Sequence, residues 1–277
     1  MRGLCDILRR VNSHFSGDTY VTRPDAPTSL LNRLTFGWRW AFYLEYFTEV
    51  LGARASAVRG KYDDAEWSES SFRVLSIIEH NRGRFQVEGL QNLRDTASGA
   101  PYVFISNHMS SLETQVLPTL IVPFMPVTFV VKRQLVEGPI FGPIMRSREP
   151  IAVGRKNARE DLDTVLSAGK ELLGRGKSII VFPQSTRTPT FRREEFNSLG
   201  VKLAARASVP VVPVAVKTDF WGDKGLFRGF GKVRPGLTIH IEFGRPIDVT
   251  GRGKEVHTTI MDFIEERQNR WQKEQMQ

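Results

Sequence analysis

The stretch Val209-Pro210-Val211-Val212-Pro213-Val214-Ala215-Val216 has no polar side chain anywhere along it. A strand with one face in water alternates apolar and polar residues. This one does not alternate, so it must be buried on both faces, as strands of helix-covered parallel sheets are. Shorter runs of the same character occur at Tyr102–Ile105, Val127–Val131, Pro150–Val153 and Ser178–Phe182. Between them lie segments of helical spacing. Leu162, Val165, Leu166, Leu172 and Leu173 repeat along one face and stop at Gly174-Arg175-Gly176. Further helices are predicted over Ser68–His80, Glu194–Ala207 and from Val256 towards Gln272. Phe85–Gly89 and Leu237–Phe243 alternate, as half-buried strands do. Strands and helices in turn, without internal repeats, predict an α/β fold.

With 277 residues, 40% hydrophobic and 25% charged, the chain has the composition of a folded protein, and one domain with an appendage is expected. Thirty-nine Lys and Arg against 30 Asp and Glu give a net charge of +9, which favours anionic partners. The single cysteine, Cys5, excludes an intramolecular disulfide framework and fits a reducing compartment. Met1–Arg10 lacks the apolar core of a signal peptide. No run of about 18 uncharged apolar residues occurs, so no transmembrane helix is expected and any membrane contact is at the surface. Residues 1–27, with Ser16-Gly17-Asp18 and Arg23-Pro24-Asp25-Ala26-Pro27, read as a tail. Residues 28–83 read as a helical segment and 84–277 as the α/β domain. The part from Leu30 to Leu51 is the most aromatic in the chain. A helix apolar nearly all round is either a core helix or an interfacial one. Trp and Tyr beside arginine favour the interface, with Trp38, Arg39, Trp40, Phe42 and Tyr43 as membrane-binding residues on a peripheral, monotopic protein.

Chemistry in α/β sheets gathers at the carboxyl ends of strands. The Tyr102 strand leads into Asn107-His108-Met109-Ser110-Ser111-Leu112-Glu113. Two readings of His108 and Glu113 stand side by side. Glu113 can fix the imidazole tautomer and steady its charge, making His108 a general base. Equally, Ser110-Ser111-Leu112-Glu113 fits the S-x-x-E capping box, in which the carboxylate serves only the helix start. Other strand ends offer cations: Lys132-Arg133 after Val131, Gly154-Arg155-Lys156 after Val153, and Pro183-Gln184-Ser185-Thr186-Arg187-Thr188 after Phe182. Gly174-Arg175-Gly176-Lys177-Ser178 is not a phosphate loop, because its glycines precede a strand and the first required glycine falls on Glu171. G-x-S-x-G and H-E-x-x-H are absent, so neither a nucleophile elbow nor a zinc helix is expected. His14, His80, His240 and His257 follow no strand with a carboxylate at matching spacing and read as local structural residues.

Four ordered blocks between Phe85 and Asp248 resemble the glycerolipid acyltransferases of the lysophosphatidic acid acyltransferase type. Asn107-His108 with Glu113 is similar to the N-H-x-x-x-x-[D/E] block. Val131-Lys132 through Pro139-Ile140-Phe141-Gly142 to Val153-Gly154-Arg155 is similar to the second block. Val181-Phe182-Pro183-Gln184-Ser185-Thr186-Arg187-Thr188 resembles F-P-E-G-T-R-S, and Val209–Val214 resembles V-P-I-V-P-V. Two positions depart from the pattern: Glu113 stands for an aspartate, and Gln184-Ser185 for Glu-Gly. The resemblance implies a single mixed, largely parallel sheet flanked by helices, like glycerol-3-phosphate acyltransferase, with an N-terminal amphipathic helical segment at the membrane surface. It implies O-acyl transfer from acyl-CoA or acyl-carrier protein to a lysophospholipid, foremost 1-acyl-sn-glycerol-3-phosphate, in phospholipid biosynthesis on the cytoplasmic side of the membrane. His108 and Glu113 are the implied catalytic pair; Asn107, Lys132, Arg155, Gln184, Ser185, Thr186 and Arg187 are the implied substrate contacts. No metal or bound cofactor is implied. The alternatives are a different lysolipid acceptor, or a membrane-binding member of the fold whose activity Gln184-Ser185 has weakened or removed. Nucleic-acid binding has only net charge in its favour and no matching motif.

Overall fold

The computed structural model describes residues 2–35, 39–96, 101–184, 186–222 and 229–276, without the side chains of residues 2–6, 9, 39 and 276. It opens with α1 (Arg2–His14), β1 (Tyr20–Val21), α2 (Leu30–Leu34), α3 (Arg39–Val58) and α4 (Asp64–His80). Strands and helices then alternate through β2 (Arg84–Glu88), α5 (Leu90–Thr96), β3 (Val103–Ser106), α6 (Leu112–Ile121) and β4 (Val127–Lys132). Next come α7 (Arg133–Glu137), α8 (Phe141–Arg146), β5 (Ile151–Val153), α9 (Ala158–Gly174) and β6 (Ser178–Val181). The chain closes with α10 (Leu199–Ala207), β7 (Val211–Lys217), β8 (Thr238–Phe243) and α11 (Lys254–Met276). Side-chain caps set several helix starts: the Asp63 carboxylate accepts the Glu66 N–H at 2.9 Å, and Asn157 Oδ1 accepts that of Arg159 at 3.1 Å.

The strands form one mixed sheet in the order β1-β2-β8-β7-β3-β6-β4-β5. From β7 to β5 all neighbours are parallel, while β8 runs antiparallel to β7 and β1 antiparallel to β2. The carboxyl ends of β7, β3, β6, β4 and β5 therefore share one edge. The valine run is covered on both faces, as its composition requires. Val212, Val214 and Val216 face a core shared with α3, α4 and α6, whereas Val211 and Ala215 face a second core under α9, α10 and α11. β8 was expected to keep one polar face in water. Instead α11 covers it, so that His240 is buried and stacks on Trp271 with ring centroids 4.9 Å apart.

Two expectations for the amino-terminal part are corrected. Residues 1–27 are not merely a tail, since α1 packs on α4 and buries Val11 and Phe15. That packing is as much part of the core as any strand. The aromatic segment is also not interfacial as a whole. Phe42 and Tyr43 are buried, with Phe42 5.0 Å and Tyr46 4.8 Å from the Trp221 ring. Burial of large rings against each other gives α3 its purchase on the domain. Trp40 is exposed at the flank of the helix, its ring edge-on to that of Tyr43 with centroids 6.5 Å apart; Trp38 and the Arg39 side chain lie outside the described residues.

Candidate active site

At the end of β3 the chain turns sharply, and Asn107 holds the turn to the neighbouring strand. Its amide accepts the Val216 N–H at 2.9 Å and donates to the Val216 carbonyl at 2.8 Å. Asn107 is 1% exposed, so the expectation that it touches substrate is corrected: both ends of its amide bond β7. His108 follows with its ring stacked on Phe182, centroids 4.4 Å apart, and its side chain 13% exposed. His108 Nδ1 lies 2.8 Å from Glu113 Oε1.

Glu113 is fully buried and its carboxylate is met by protein donors alone. The Met109 N–H reaches Oε1 at 2.7 Å and the Ser110 N–H reaches it at 2.9 Å. The Ser110 and Thr218 hydroxyls reach Oε2 at 3.0 and 2.7 Å. Burial alone pushes the Glu113 pKa up, but the His108 contact and these donors outweigh it and hold the carboxyl below its ordinary value. An ionised carboxylate only accepts, so the proton between the pair sits on Nδ1 and leaves Nε2 as the basic nitrogen. The one carboxylate thus makes the contacts that each sequence reading requires. Glu113 serves the start of α6 through the Ser110 N–H, and the Leu112 N–H in turn reaches Ser110 Oγ at 3.0 Å. The same carboxylate also braces the imidazole.

The loop after β6 grips the histidine from its other side. Gln184 Oε1 accepts the His108 N–H at 2.7 Å, Gln184 Nε2 donates to Thr188 Oγ1 at 2.6 Å, and the Thr188 N–H reaches the His108 carbonyl at 3.0 Å. Gln184 is 2% exposed and both ends of its amide are occupied within the wall, which corrects its expected role as a substrate contact. Arg187, half-buried, extends towards the start of α6. A Cβ placed on Gly229 would lie 2.9 Å from Arg187 Nη1 and 3.0 Å from Ser111 Oγ. Glycine, here at φ +89°, is what lets the β7–β8 connection close on both groups. Thr186, Lys132 and Arg155 are exposed, and Ser185 lies outside the described residues. Arg155 takes φ +58°, a left-handed turn that Asp161 holds by accepting the Gly154 and Arg155 N–H groups, each at 2.8 Å. Sequence reasoning missed Thr218 and Phe182 as neighbours of the dyad. Both follow an apolar strand at its carboxyl end, the one signal that marked them.

Residues 84–217 match the Acyltransferase family model. A 1-acyl-sn-glycerol-3-phosphate acyltransferase of Pseudomonas aeruginosa is 31% identical over 224 residues, covering 81% of this chain and 80% of that protein. The chain belongs to this acyltransferase family. It is an acyltransferase of phospholipid synthesis. The human 1-acyl-sn-glycerol-3-phosphate acyltransferase alpha is 29% identical over 240 residues, covering 83% of this chain and 81% of its own. The fold is that of the crystal structure of PlsC, the 1-acyl-sn-glycerophosphate acyltransferase of Thermotoga maritima, with a TM-score of 0.66 at 16% identity, over 86% of this chain and 95% of that one. The family match runs from β2 to the last residue of β7 and so contains all four blocks read from the sequence. In this acyltransferase they meet along one sheet edge, in the order β7, β3, β6, β4, β5.

Proposed function

We propose that this acyltransferase moves a fatty acyl group from a thioester, acyl-CoA or acyl-carrier protein, to the free hydroxyl of 1-acyl-sn-glycerol-3-phosphate. The observation that carries this reading is the dyad: an imidazole with Nδ1 held by a buried carboxylate and its own side chain still partly exposed. Nε2 takes the proton of the acceptor hydroxyl as its oxygen forms a bond to the thioester carbonyl carbon. The tetrahedral intermediate collapses, the C–S bond breaks, and the proton passes from the imidazolium to the leaving sulfur. Glu113 stabilises the imidazolium in between. The thioester already carries the activation, so no acyl-enzyme, metal or cofactor enters the scheme.

Arg187 is the first choice for the acceptor phosphate. Neighbouring strands lie about 4.8 Å apart. The Arg187 loop is one strand from His108, the Lys132 end two strands and the Arg155 loop three. A phosphate joined to the reacting hydroxyl through a glycerol backbone fits the nearest cation, with Thr186 beside it. Lys132 and Arg155 then serve the outer reach of the bound lipid or the donor's own phosphates.

The reading includes a phospholipid surface. Trp40, Leu44, Leu51 and Val58 are each more than half exposed and stand four, seven and seven residues apart, a single stripe along α3. Leu30 and Leu34 of α2 are exposed too, and Arg54 reaches the Pro139 carbonyl next to exposed Ile140. Among the described residues no helix is long and apolar enough to cross a membrane. The stripe, in place of Phe42 and Tyr43, would sit at head-group depth on the cytoplasmic leaflet, helped by the net charge of +9.

Transfer of radiolabelled acyl groups from both donors to a panel of lysophospholipids tests the proposal. Wild type is expected to label 1-acyl-sn-glycerol-3-phosphate, and His108→Ala to lose about 10²- to 10⁴-fold in turnover without loss of fold. Wild type that labels no acceptor, or a His108→Ala variant with normal turnover, would remove it.

A further inference from the structure

Glu113 lies beyond the reach of water, so whatever keeps its carboxylate ionised and correctly turned must come from the protein. Oε1 is well supplied, with the imidazole and two backbone N–H groups. Oε2 depends on two hydroxyls, apart from a longer second contact of the Ser110 N–H at 3.2 Å. Of these, Ser110 Oγ is also the acceptor for the Leu112 N–H and donates to Oε2 at 3.0 Å. Thr218 Oγ1 makes the shortest contact, at 2.7 Å, and sits 3.0 Å from Ser110 Oγ.

Thr218 comes from outside the matched family region, one residue past the end of β7. Its place is fixed on both sides of the peptide chain. Val216 is bonded to Asn107 through N–H and carbonyl alike, and Lys217, itself buried, donates to Asp219 at 2.8 Å and to Gln275 of α11 at 2.6 Å. The dyad is thus supported from both strands that flank β3: Gln184 from the β6 side holds the His108 backbone, and Thr218 from the β7 side holds Glu113.

We propose that Thr218 is a positioning residue of the acyl-transfer reaction: its hydroxyl pins Glu113 Oε2, so that Oε1 stays on His108 Nδ1 and Nε2 faces the acceptor. Thr218 touches no substrate. The proposal rests on the reading of His108 as the base, and the experiment separates the two. Thr218→Val keeps the volume and removes the donor; Thr218→Ser keeps the donor. Acyl transfer to 1-acyl-sn-glycerol-3-phosphate is measured for both variants, for His108→Ala, and for Thr218→Val combined with Glu113→Gln. Thr218→Val is expected to lower kcat about 10- to 100-fold, the size of a hydrogen bond to a charged group, with KM for both substrates within about two-fold. Thr218→Ser is expected to recover most of that loss, and in the Glu113→Gln background the valine is expected to add less than about three-fold, since the charge it served is gone and only a neutral contact remains to be lost. If the valine chain does not fold, the same comparison is read from Thr218→Ala. Near-normal kcat in Thr218→Val beside an inactive His108→Ala overturns the role of Thr218 alone, as does a serine variant as slow as the valine. A His108→Ala variant of normal activity overturns the catalytic reading itself.

Discussion

Replacing Glu113 by Gln is the sharpest test of whether that residue is a helix cap or half of a catalytic pair. The amide oxygen can take the place of Oε1 and keep the Met109 and Ser110 N–H bonds of 2.7 and 2.9 Å. The amide nitrogen then faces the Ser110 and Thr218 hydroxyls, which rotate to accept. Capping therefore survives, at a cost of about 1 kcal/mol for hydroxyl protons left to find other acceptors. What disappears is the negative charge 2.8 Å from Nδ1. A hydrogen bond to a charged group contributes about 1.5–3 kcal/mol, and this one strengthens when the ring becomes cationic, so kcat should fall about 10- to 150-fold with KM little changed. Stability adds a second readout. Folding holds the Glu113 carboxyl below its ordinary value, so its contribution is present above the unfolded pKa of about 4.3 and is lost as pH falls through the lower folded value. The gap in melting temperature between wild type and Glu113→Gln should accordingly be constant near neutrality and close on acidification below about pH 4. Steady-state acyl transfer with thermal melts from pH 3 to 8, roughly the span of these titrations, reads both. A glutamine variant within about three-fold of wild-type kcat would reduce Glu113 to a cap.

Strand order ranks the cations. Arg187→Ala should raise KM for the phosphorylated acceptor about ten-fold or more, and Arg155→Ala, three strands away, less than about three-fold; equal effects in an acceptor titration would refute the ranking. His240 is buried mainly at the expense of its charged form, with Lys217 and Arg270 adding to the effect, and its pKa is lowered to about 4. The unfolded chain therefore binds one more proton between about pH 6.5 and 4, and wild type loses up to about 3 kcal/mol across that window. His240→Phe, which retains the stack on Trp271, should remove that slope in pH-dependent urea unfolding and leave stability above pH 7 near wild type; an unchanged slope would place the titration elsewhere.

The strands were legible because their burial leaves no choice. Val211 to Val216 has apolar residues on both faces, and a sheet covered by helices on both sides satisfies that. The loops of the candidate site were legible as residue types at strand ends, but not as geometry. Asn107 and Gln184 lie in the right blocks, yet Asn107 is met by the backbone of β7, and Gln184 by the His108 N–H and the Thr188 hydroxyl, so both side chains turn into the wall. Such partners are remote in sequence and leave no periodic trace. α1 was missed for a related reason. Its apolar residues are few, and their partner surface on α4 lies more than fifty residues away, as the Arg10–Glu69 ion pair illustrates. In α3 the aromatic count was read correctly and its direction was not. A helix apolar all round leaves open which side meets the core, and here the decision falls to Trp221, from the β7–β8 connection.

Gln184 is where the chain departs furthest from the acyltransferase pattern, and the geometry limits what the departure changes. A carboxylate at that position would accept from the His108 N–H just as the amide oxygen does at 2.7 Å, and from the Thr188 hydroxyl in place of the 2.6 Å bond that Nε2 now donates. The scaffold is thus satisfied by either residue, since Thr188 can turn its proton either way. What differs is charge. A glutamate in a site nearly closed to water would place a negative group one loop from the Arg187 guanidinium and oppose a phosphate bound there. The amide removes that opposition while the dyad keeps every one of its contacts, the imidazole to Glu113 and the His108 backbone to the residue 184 oxygen. A glutamine at this point is therefore compatible with an active site that draws its acceptor by a stronger positive field, and the loss of one carboxylate is no reason to expect a silent enzyme.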